Sequence, residues 1–241
     1  MEKRAYKELH RNEDIHWWYV GRRVIVKKIL ESLSAEKQDK KILEVGCASG
    51  GNLNMLSKYG DVFAMELDDE SRNLAKKRNV CEVKKGKLPH DIPYDIKFDL
   101  ICILDVLEHI DEESEVIKNL RGSLHHKGRL LVTVPAYKFL WSNHDIISKH
   151  VKRYNKKEII NLVKSHGMKV LYCSYFNSLL FPLIATIRLL KNLIGDSSSD
   201  NNLPNKFLNK ILSTFFSLEK NMLPFMVFPF GVSIILLAEK E

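Results

Sequence analysis

The stretch Lys41-Ile-Leu-Glu-Val-Gly-Cys-Ala-Ser-Gly50 constrains the fold of this chain more than any other. A short apolar run carries an acid, Glu44, and leads into a turn of small residues. A second apolar run, Val62-Phe-Ala-Met, closes on another acid, Glu66. Strand, small-residue loop, helix, strand, acid is the layout of a nucleoside-cofactor site in an open α/β sheet. Small residues let a ligand approach the backbone closely, and the next helix offers N–H groups with no partner inside it. The acid after the second strand can accept hydrogen bonds from both hydroxyls of a ribose.

The spacing narrows the cofactor. Gly46-x-Ala48-x-Gly50 is followed by Gly51, so a dinucleotide fingerprint begun at Gly46 would have its third glycine at Gly51 but an alanine in place of its second. No Lys-Ser or Lys-Thr follows, so the loop is not a nucleotide P-loop. The pattern E-x-G-C-x-x-G resembles motif I of the class I S-adenosylmethionine-dependent methyltransferases, with Ala48 where the family has its middle glycine. Glu66 matches the family's ribose-binding acid, and Gly86-Lys-Leu-Pro89 resembles the loop against the adenine. Phe98-Asp-Leu-Ile-Cys-Ile-Leu-Asp-Val-Leu-Glu-His-Ile110 resembles its fourth strand and tail, and Gly128-Arg-Leu-Leu-Val-Thr-Val-Pro135 its fifth. These motifs run in the family's order through roughly the first two thirds of the chain.

The resemblance implies a doubly wound, seven-stranded Rossmann-like sheet with strand seven antiparallel. It implies S-adenosyl-L-methionine as cofactor, held by Glu44, Gly46, Cys47, Ala48, Gly50, Glu66, Leu67, Lys87, Leu88, Leu104 and Asp105. The HWW…GRR opening, LWSNHD…HxxRY and YFNSLLFP together resemble a bacterial subgroup of these enzymes with an extended C-terminal part.

Periodicity gives the elements. A helix is expected over Gly21 to Ser34, with Val24, Ile25, Ile29, Leu30 and Leu33 on one face. Strands are expected at 41–46, 61–66, 80–84, 98–104, 128–134, 168–175 and 232–239. Helices are expected from Asn52 to Lys58 and from Asp69 to Arg78, the latter opening on acids and ending on bases. Asp111 is expected to cap a helix that runs to Arg121 and stops at Gly122. Asn155 and Glu158 form a capping box for a helix ending at Gly167.

Four regions follow: an N-terminal helical flap (1–40), the cofactor-binding core (41–175), a helical insertion (176–231) and the final strand (232–241). The insertion is far longer than ordinary loops. Leu179 to Ile194 and Phe207 to Leu223 read as apolar helices, joined by the polar loop Gly195–Asn202. The first is too short, and carries Arg188 and Lys191, for a membrane span. A substrate lid, a dimer surface and an interfacial membrane contact stay open beside a helical cap that only covers the sheet.

Methyl transfer asks the protein to position the acceptor and sometimes to take a proton. Asp105, Glu108 and His109 follow strand four, where His109 is a candidate base and Glu108-His109 can equally brace the loop. The long segment after strand five holds Trp141, His144, His150, Arg153 and Tyr154. His144 or His150 can deprotonate a hydroxyl or amine. Arg153 can bind a carboxylate or phosphate, or with Tyr154 can fix the following helix. Near the start, Trp17, Trp18, Tyr19 and Arg23 are candidates for acceptor binding. Adjacent tryptophans are expected to point apart, one packing and one covering a ligand, unless the helix is simply packed by its aromatics.

Composition fits a soluble globular chain of 241 residues, 45% hydrophobic and 28% charged. Four cysteines show neither C-x-x-C pairing nor zinc spacing, so no metal is expected. They read as buried free thiols, which favours the cytoplasm. The opening residues lack the apolar core of a signal peptide. The net charge of +8 comes from scattered lysines and serves solubility, an anionic substrate or an anionic membrane surface. There is no N/D-P-P-Y/F after strand four and no Pro-Cys, so DNA is not the expected acceptor. A small-molecule or lipid- or saccharide-linked acceptor is expected, with transfer to O or N, from a monomer or homodimer. A non-catalytic cofactor-binding or partner-recruiting module, and an NAD-dependent oxidoreductase, are the alternatives on the same fold.

Overall fold

The computed structural model describes residues 10–33, 40–195 and 203–241. The helix end expected at Ser34, residues 1–9 of the flap and residues 196–202 of the polar loop lie outside them. In chain order the elements are α1 (Trp17–Leu33), β1 (Lys41–Val45), α2 (Leu53–Leu56), β2 (Asp61–Met65), α3 (Asp69–Lys77), β3 (Glu82–Lys84) and β4 (Phe98–Leu104). There follow α4 (Glu113–Ser123), β5 (Leu124–Pro135), α5 (Asn143–Ser148), α6 (Lys156–Ser165), β6 (Met168–Phe176), α7 (Phe181–Ile194), α8 (Lys206–Leu218) and β7 (Ser233–Lys240).

The seven strands form one sheet in the order β3-β2-β1-β4-β5-β7-β6. β1 pairs in parallel with both β2 and β4, β2 with β3, and β4 with β5, while β7 is antiparallel. Ile42 to Val45 and Leu100 to Leu104 are buried without a break. Such unbroken apolar runs mark strands covered on both faces. The order reverses between β1 and β4, and the carboxyl ends of the strands at such a reversal are the usual ligand position in open α/β sheets.

The chain gathers into two compact units. One, the sheet unit, comprises Glu36–Val134, Asn155–Cys173 and Ile235–Glu241. The other, the helical unit, comprises Met1–Ala35, Pro135–Tyr154 and Ser174–Ile234, as far as these are described. The second therefore joins α1, the segment after β5 and the α7–α8 region.

Several boundaries move from their expected places, each for a local reason. α1 begins at Trp17 rather than Gly21, because the Nδ1 of His16 accepts from the Trp18 N–H at 3.2 Å and starts the helix earlier. Gly21 lies inside it, where a Cβ would come within 2.2 Å of the Phe216 ring. α2 is a single turn, Leu53 to Leu56, not a helix to Lys58. α4 opens after Glu112 rather than on an Asp111 cap, with Glu113 and Glu115 in its first turn. It also passes through Gly122 and runs straight into β5 at Leu124. β5 thus starts before 128: Leu124 pairs with Phe98, the register shifts, and Arg129 pairs with Leu100. Exposed His125 to Lys127 bulge between them. β3 is shorter than expected and begins at Glu82. The two apolar helices are shorter as well, Phe181–Ile194 and Lys206–Leu218, and a 3₁₀ turn over Glu219–Asn221 follows.

The caps read from the sequence are present. Asp68 accepts from the Ser71 N–H at 2.8 Å and opens α3, whose first turn is acidic and last turn basic. Asn155 and Glu158 close a reciprocal capping box at α6, at 3.0 and 2.8 Å.

Candidate active site

All the residues expected to hold the cofactor lie in the sheet unit, Glu44 and Leu104 in the last residues of β1 and β4 and the others on the loops that follow β1 to β4. The loop after β1 begins when Gly46 and Cys47 both donate to the Met65 carbonyl, at 2.9 and 3.1 Å. Gly46 is left-handed (φ 68°), and a Cβ there would sit 2.6 Å from Val106 Cγ2, on the loop after β4. Only glycine fits a position that is left-handed and this crowded. Gly50 (φ 85°) closes the turn by donating to the Cys47 carbonyl at 2.8 Å.

Ala48 also lies in the left-handed region, at φ 49°. Glycine reaches this conformation freely, whereas alanine holds it at about 1 kcal/mol. What holds Ala48 is Glu66, whose Oε2 accepts the Ala48 N–H at 2.9 Å while Oε1 accepts the Asp68 N–H at 2.8 Å. The carboxyl is buried, and that burial raises its pKa against the opposing pull of the Asp68 and Ala48 N–H groups. A carboxylate offers about four lone-pair sites, so two remain for hydroxyls.

Three side chains that brace the loops after β1 and β4 carry no local signal in the sequence. Asn52 donates its Nδ2 to Glu44 Oε1 at 2.7 Å in a buried pair. Arg78, at the end of α3, donates Nε to the Ser49 carbonyl at 2.6 Å. Thr133 donates its hydroxyl to Asp105 Oδ1 at 2.9 Å, and the Asp105 N–H bonds the Thr133 carbonyl at 3.0 Å. Asp105 is itself left-handed, at φ 56°. The buried Asn beside a buried Glu follows from contacts between elements, which no local pattern reveals. On the remaining rims, Leu67 is exposed, Leu104 is buried, and Lys87 exchanges backbone hydrogen bonds with Asp91 at 2.9 and 2.8 Å. Leu88 follows it, and His109 lies in the 3₁₀ turn Leu107–His109 after β4.

The residues expected to bind the acceptor, and the other two candidate bases, all lie in the helical unit. Its polar centre is Asp145, fully buried. His150 Nδ1 lies 2.7 Å from Oδ1, and Arg153 donates Nε to Oδ1 at 2.8 Å and Nη2 to Oδ2 at 3.0 Å. Ser142 N–H adds a bond of 2.8 Å to Oδ2. Burial would raise the carboxyl pKa, but the His150 hydrogen bond and the Arg153 charge outweigh it and hold Asp145 well below the usual carboxylate range. Arg153 also donates Nη1 to the Ala136 carbonyl at 2.9 Å, so its guanidinium ties this segment together. The Tyr154 N–H bonds the Pro135 carbonyl, and the Tyr154 side chain is buried.

The two histidines differ. The ring of His144 meets that of His150 edge-on at 5.5 Å, and its Nδ1 is buried without a partner. Burial, then the Arg188 and His150 charges, pushes the His144 pKa down to about 4. At neutral pH it is an uncharged ring and a weak base.

Trp17 and Trp18 do not point apart. Trp17 meets the Phe216 ring edge-on at 6.0 Å, and Trp18 stacks on it at 5.3 Å and on Phe176 at 6.2 Å. Phe216 sits over the seam between adjacent helix positions, so both indoles reach it. Tyr19 lies beside His16 and under the Arg22 guanidinium, Arg23 pairs with Asp14 at 4.0 Å, and the Trp141 carbonyl accepts from Asn192 at 2.8 Å.

This fold, with a glycine-dependent loop after β1 and an acid after β2, is that of the class I S-adenosylmethionine-dependent methyltransferases. A model of the methyltransferase domain matches residues 17–172, and the chain belongs to that family. Over 187 residues it is 23% identical to the chloroplastic tocopherol O-methyltransferase of Arabidopsis thaliana, covering 66% of this chain and 54% of that protein. The chain thus spans about half the length of the curated relative it matches. Among solved structures it resembles magnesium protoporphyrin IX methyltransferase of Synechocystis PCC 6803 with bound S-adenosylhomocysteine. The TM-score is 0.61 at 12% identity, covering 99% of this chain and 95% of that one. It also resembles a TehB-like methyltransferase of Corynebacterium glutamicum, with a TM-score of 0.57 at 16% identity over 99% and 95% of the two chains.

Proposed function

We propose that this protein transfers a methyl group from S-adenosyl-L-methionine to an O or N atom of a small-molecule or lipid- or saccharide-linked acceptor. The observation that carries this reading is the buried Glu66. It pins the Ala48 N–H at 2.9 Å and keeps lone pairs for a ribose, on a loop whose Gly46 leaves no room for a Cβ. The family membership and the ordered motifs support the same cofactor. Glu44, Gly46, Cys47, Ala48, Gly50, Glu66, Leu67, Lys87, Leu88, Leu104 and Asp105 would hold it. When bound, S-adenosylmethionine supplies an electrophilic methyl carbon next to a sulfonium. A relative named tocopherol O-methyltransferase favours an oxygen as the methylated atom. We infer that DNA is not an acceptor and that the chain acts as monomer or homodimer. The four free thiols support a reducing compartment, and we infer the cytoplasm.

For the acceptor's proton we infer His150 as base. Asp145 lies 2.7 Å from the His150 Nδ1 and orients the ring. Asp145 is then a positioning residue, itself held by Arg153, and His144 is too weak a base for the task. Trp17, Trp18, Tyr19, Arg23, Trp141 and Tyr154 remain candidates for shaping acceptor choice, as does His109 for assisting at the end of β4. The test is capture of labelled methyl from S-adenosylmethionine in fractionated small-molecule and lipid extracts. Wild type should label at least one fraction, and His150→Gln should lower turnover by about a hundredfold with unchanged S-adenosylhomocysteine affinity. An unlabelled extract with intact cofactor binding would overturn the catalytic reading in favour of a cofactor-binding module.

A further inference from the structure

We propose that the α7–α8 region of the helical unit docks on an anionic lipid bilayer. Two helices there carry apolar stripes that face water. On α7, Leu183, Ile187, Leu190 and Ile194 recur at helical spacing and are 53%, 43%, 54% and 75% exposed, with Leu193 beside them at 81%. On α8 the same spacing sets Phe207, Ile211, Phe215 and Leu218 at 76%, 36%, 50% and 46%. The irregular segment after α8 adds Phe225 at 84%, with Met226, Val227 and Phe230 also exposed. A helix whose only environment was water would be polar on that side.

These stripes are not core faces waiting to pack, because the opposite sides are already occupied. Phe216 is fully buried against Trp17, Trp18 and Phe176. Asn209 accepts from the Trp17 N–H and donates to the Ile15 carbonyl, at 2.9 and 2.8 Å. On α7, Arg188 is buried and donates to the Leu140 carbonyl, and Asn192 bonds the Trp141 carbonyl.

Charge selects the occupant. Lys206, Lys210 and Lys220 are exposed in the same region, while its described acid, Glu219, is fully buried. Exposed apolar side chains flanked by lysines match the interfacial layer of a bilayer that carries anionic headgroups. A second copy of this face would bring lysine to lysine. Among the described residues no helix is long and apolar enough to cross a membrane, so the contact is peripheral. A fluid surface also accepts side chains from two helices and a loop without needing one shaped groove.

The experiment is vesicle flotation of the full chain, with phosphatidylcholine vesicles that do or do not contain phosphatidylglycerol, and sedimentation equilibrium alongside. The protein should float with phosphatidylglycerol vesicles and far less with phosphatidylcholine alone. Phe225→Glu should weaken that binding by about tenfold or more, and Lys206→Glu with Lys210→Glu should weaken it further and reduce its salt sensitivity. Unchanged melting and S-adenosylhomocysteine affinity in these variants would show that the fold and the cofactor loops are intact, so a failed acceptor reading and a failed membrane reading remain separate results. No flotation with either vesicle would overturn the proposal. So would equal flotation with both vesicles that ignores the lysine changes, or a dimer dispersed by Phe225→Glu that never binds vesicles.

Discussion

Glu66 and His144 show how a single side chain sets the chemistry around it. Glu66 offers acceptors to two backbone N–H groups, and the loop that resembles motif I takes its shape from one of them. Alanine at position 48 is tolerated in a left-handed conformation because that bond holds it. His144 has the opposite character: a half-buried ring with a buried, unpartnered Nδ1 and a pKa of about 4. Its folded pKa lies below the ordinary 6.5, so the fold prefers the neutral ring. That preference contributes fully above about pH 6.5 and is lost as pH falls toward about 4, by up to about 3 kcal/mol. Asp145 acts in the same direction at lower pH, since a carboxyl held below its usual range contributes above about pH 4 and loses that contribution on further acidification. His144→Phe should therefore melt less steeply than wild type between pH 7 and pH 5. Parallel losses in thermal melts at the two values would show that His144 does not carry the acid sensitivity.

At the scale of elements, the start of α7 depends on a residue that its own sequence does not contain. Glu219, in the turn after α8, is fully buried and accepts the N–H groups of Ser178 and Leu179 at 2.6 and 2.8 Å. Burial raises its pKa against those bonds, so a neutral side chain is tolerated there. Glu219→Ala should cost about 2–4 kcal/mol by orphaning two buried donors, whereas Glu219→Gln, which keeps an acceptor, should cost much less. Urea unfolding of both variants checks this, and equal losses would argue against the capping role. The same contrast explains what was legible beforehand. β1, β2 and β4, the Asn155–Glu158 box and the α3 termini are local: each is written in adjacent residues. The start of α1 was not, because Gly21 looks like a boundary until Phe216 arrives from the far end of the chain. The Asn52–Glu44 pair and the burial of Asp145 were hidden for the same reason, since nothing nearby in sequence distinguishes them from solvated polar residues.

At the scale of the molecule, the chemistry divides between two compact units. The residues expected to hold the cofactor fall in the sheet unit, and the candidates for acceptor recognition, with Asp145, His144 and His150, fall in the helical unit. The cofactor half was legible because its motifs sit at strand ends in a set order. The acceptor half was legible only as a collection of aromatic and ionisable residues, since its partners come from three separated segments. The proposed transfer depends on the cofactor loops binding S-adenosylmethionine, and the decisive measurement is calorimetric titration with S-adenosylhomocysteine, using NAD as control. Wild type should bind S-adenosylhomocysteine near micromolar and NAD much more weakly, and Glu66→Ala should lose about tenfold or more in affinity. No binding of S-adenosylhomocysteine, tighter binding of NAD, or a Glu66→Ala protein that binds as wild type does would contradict S-adenosylmethionine binding at these loops.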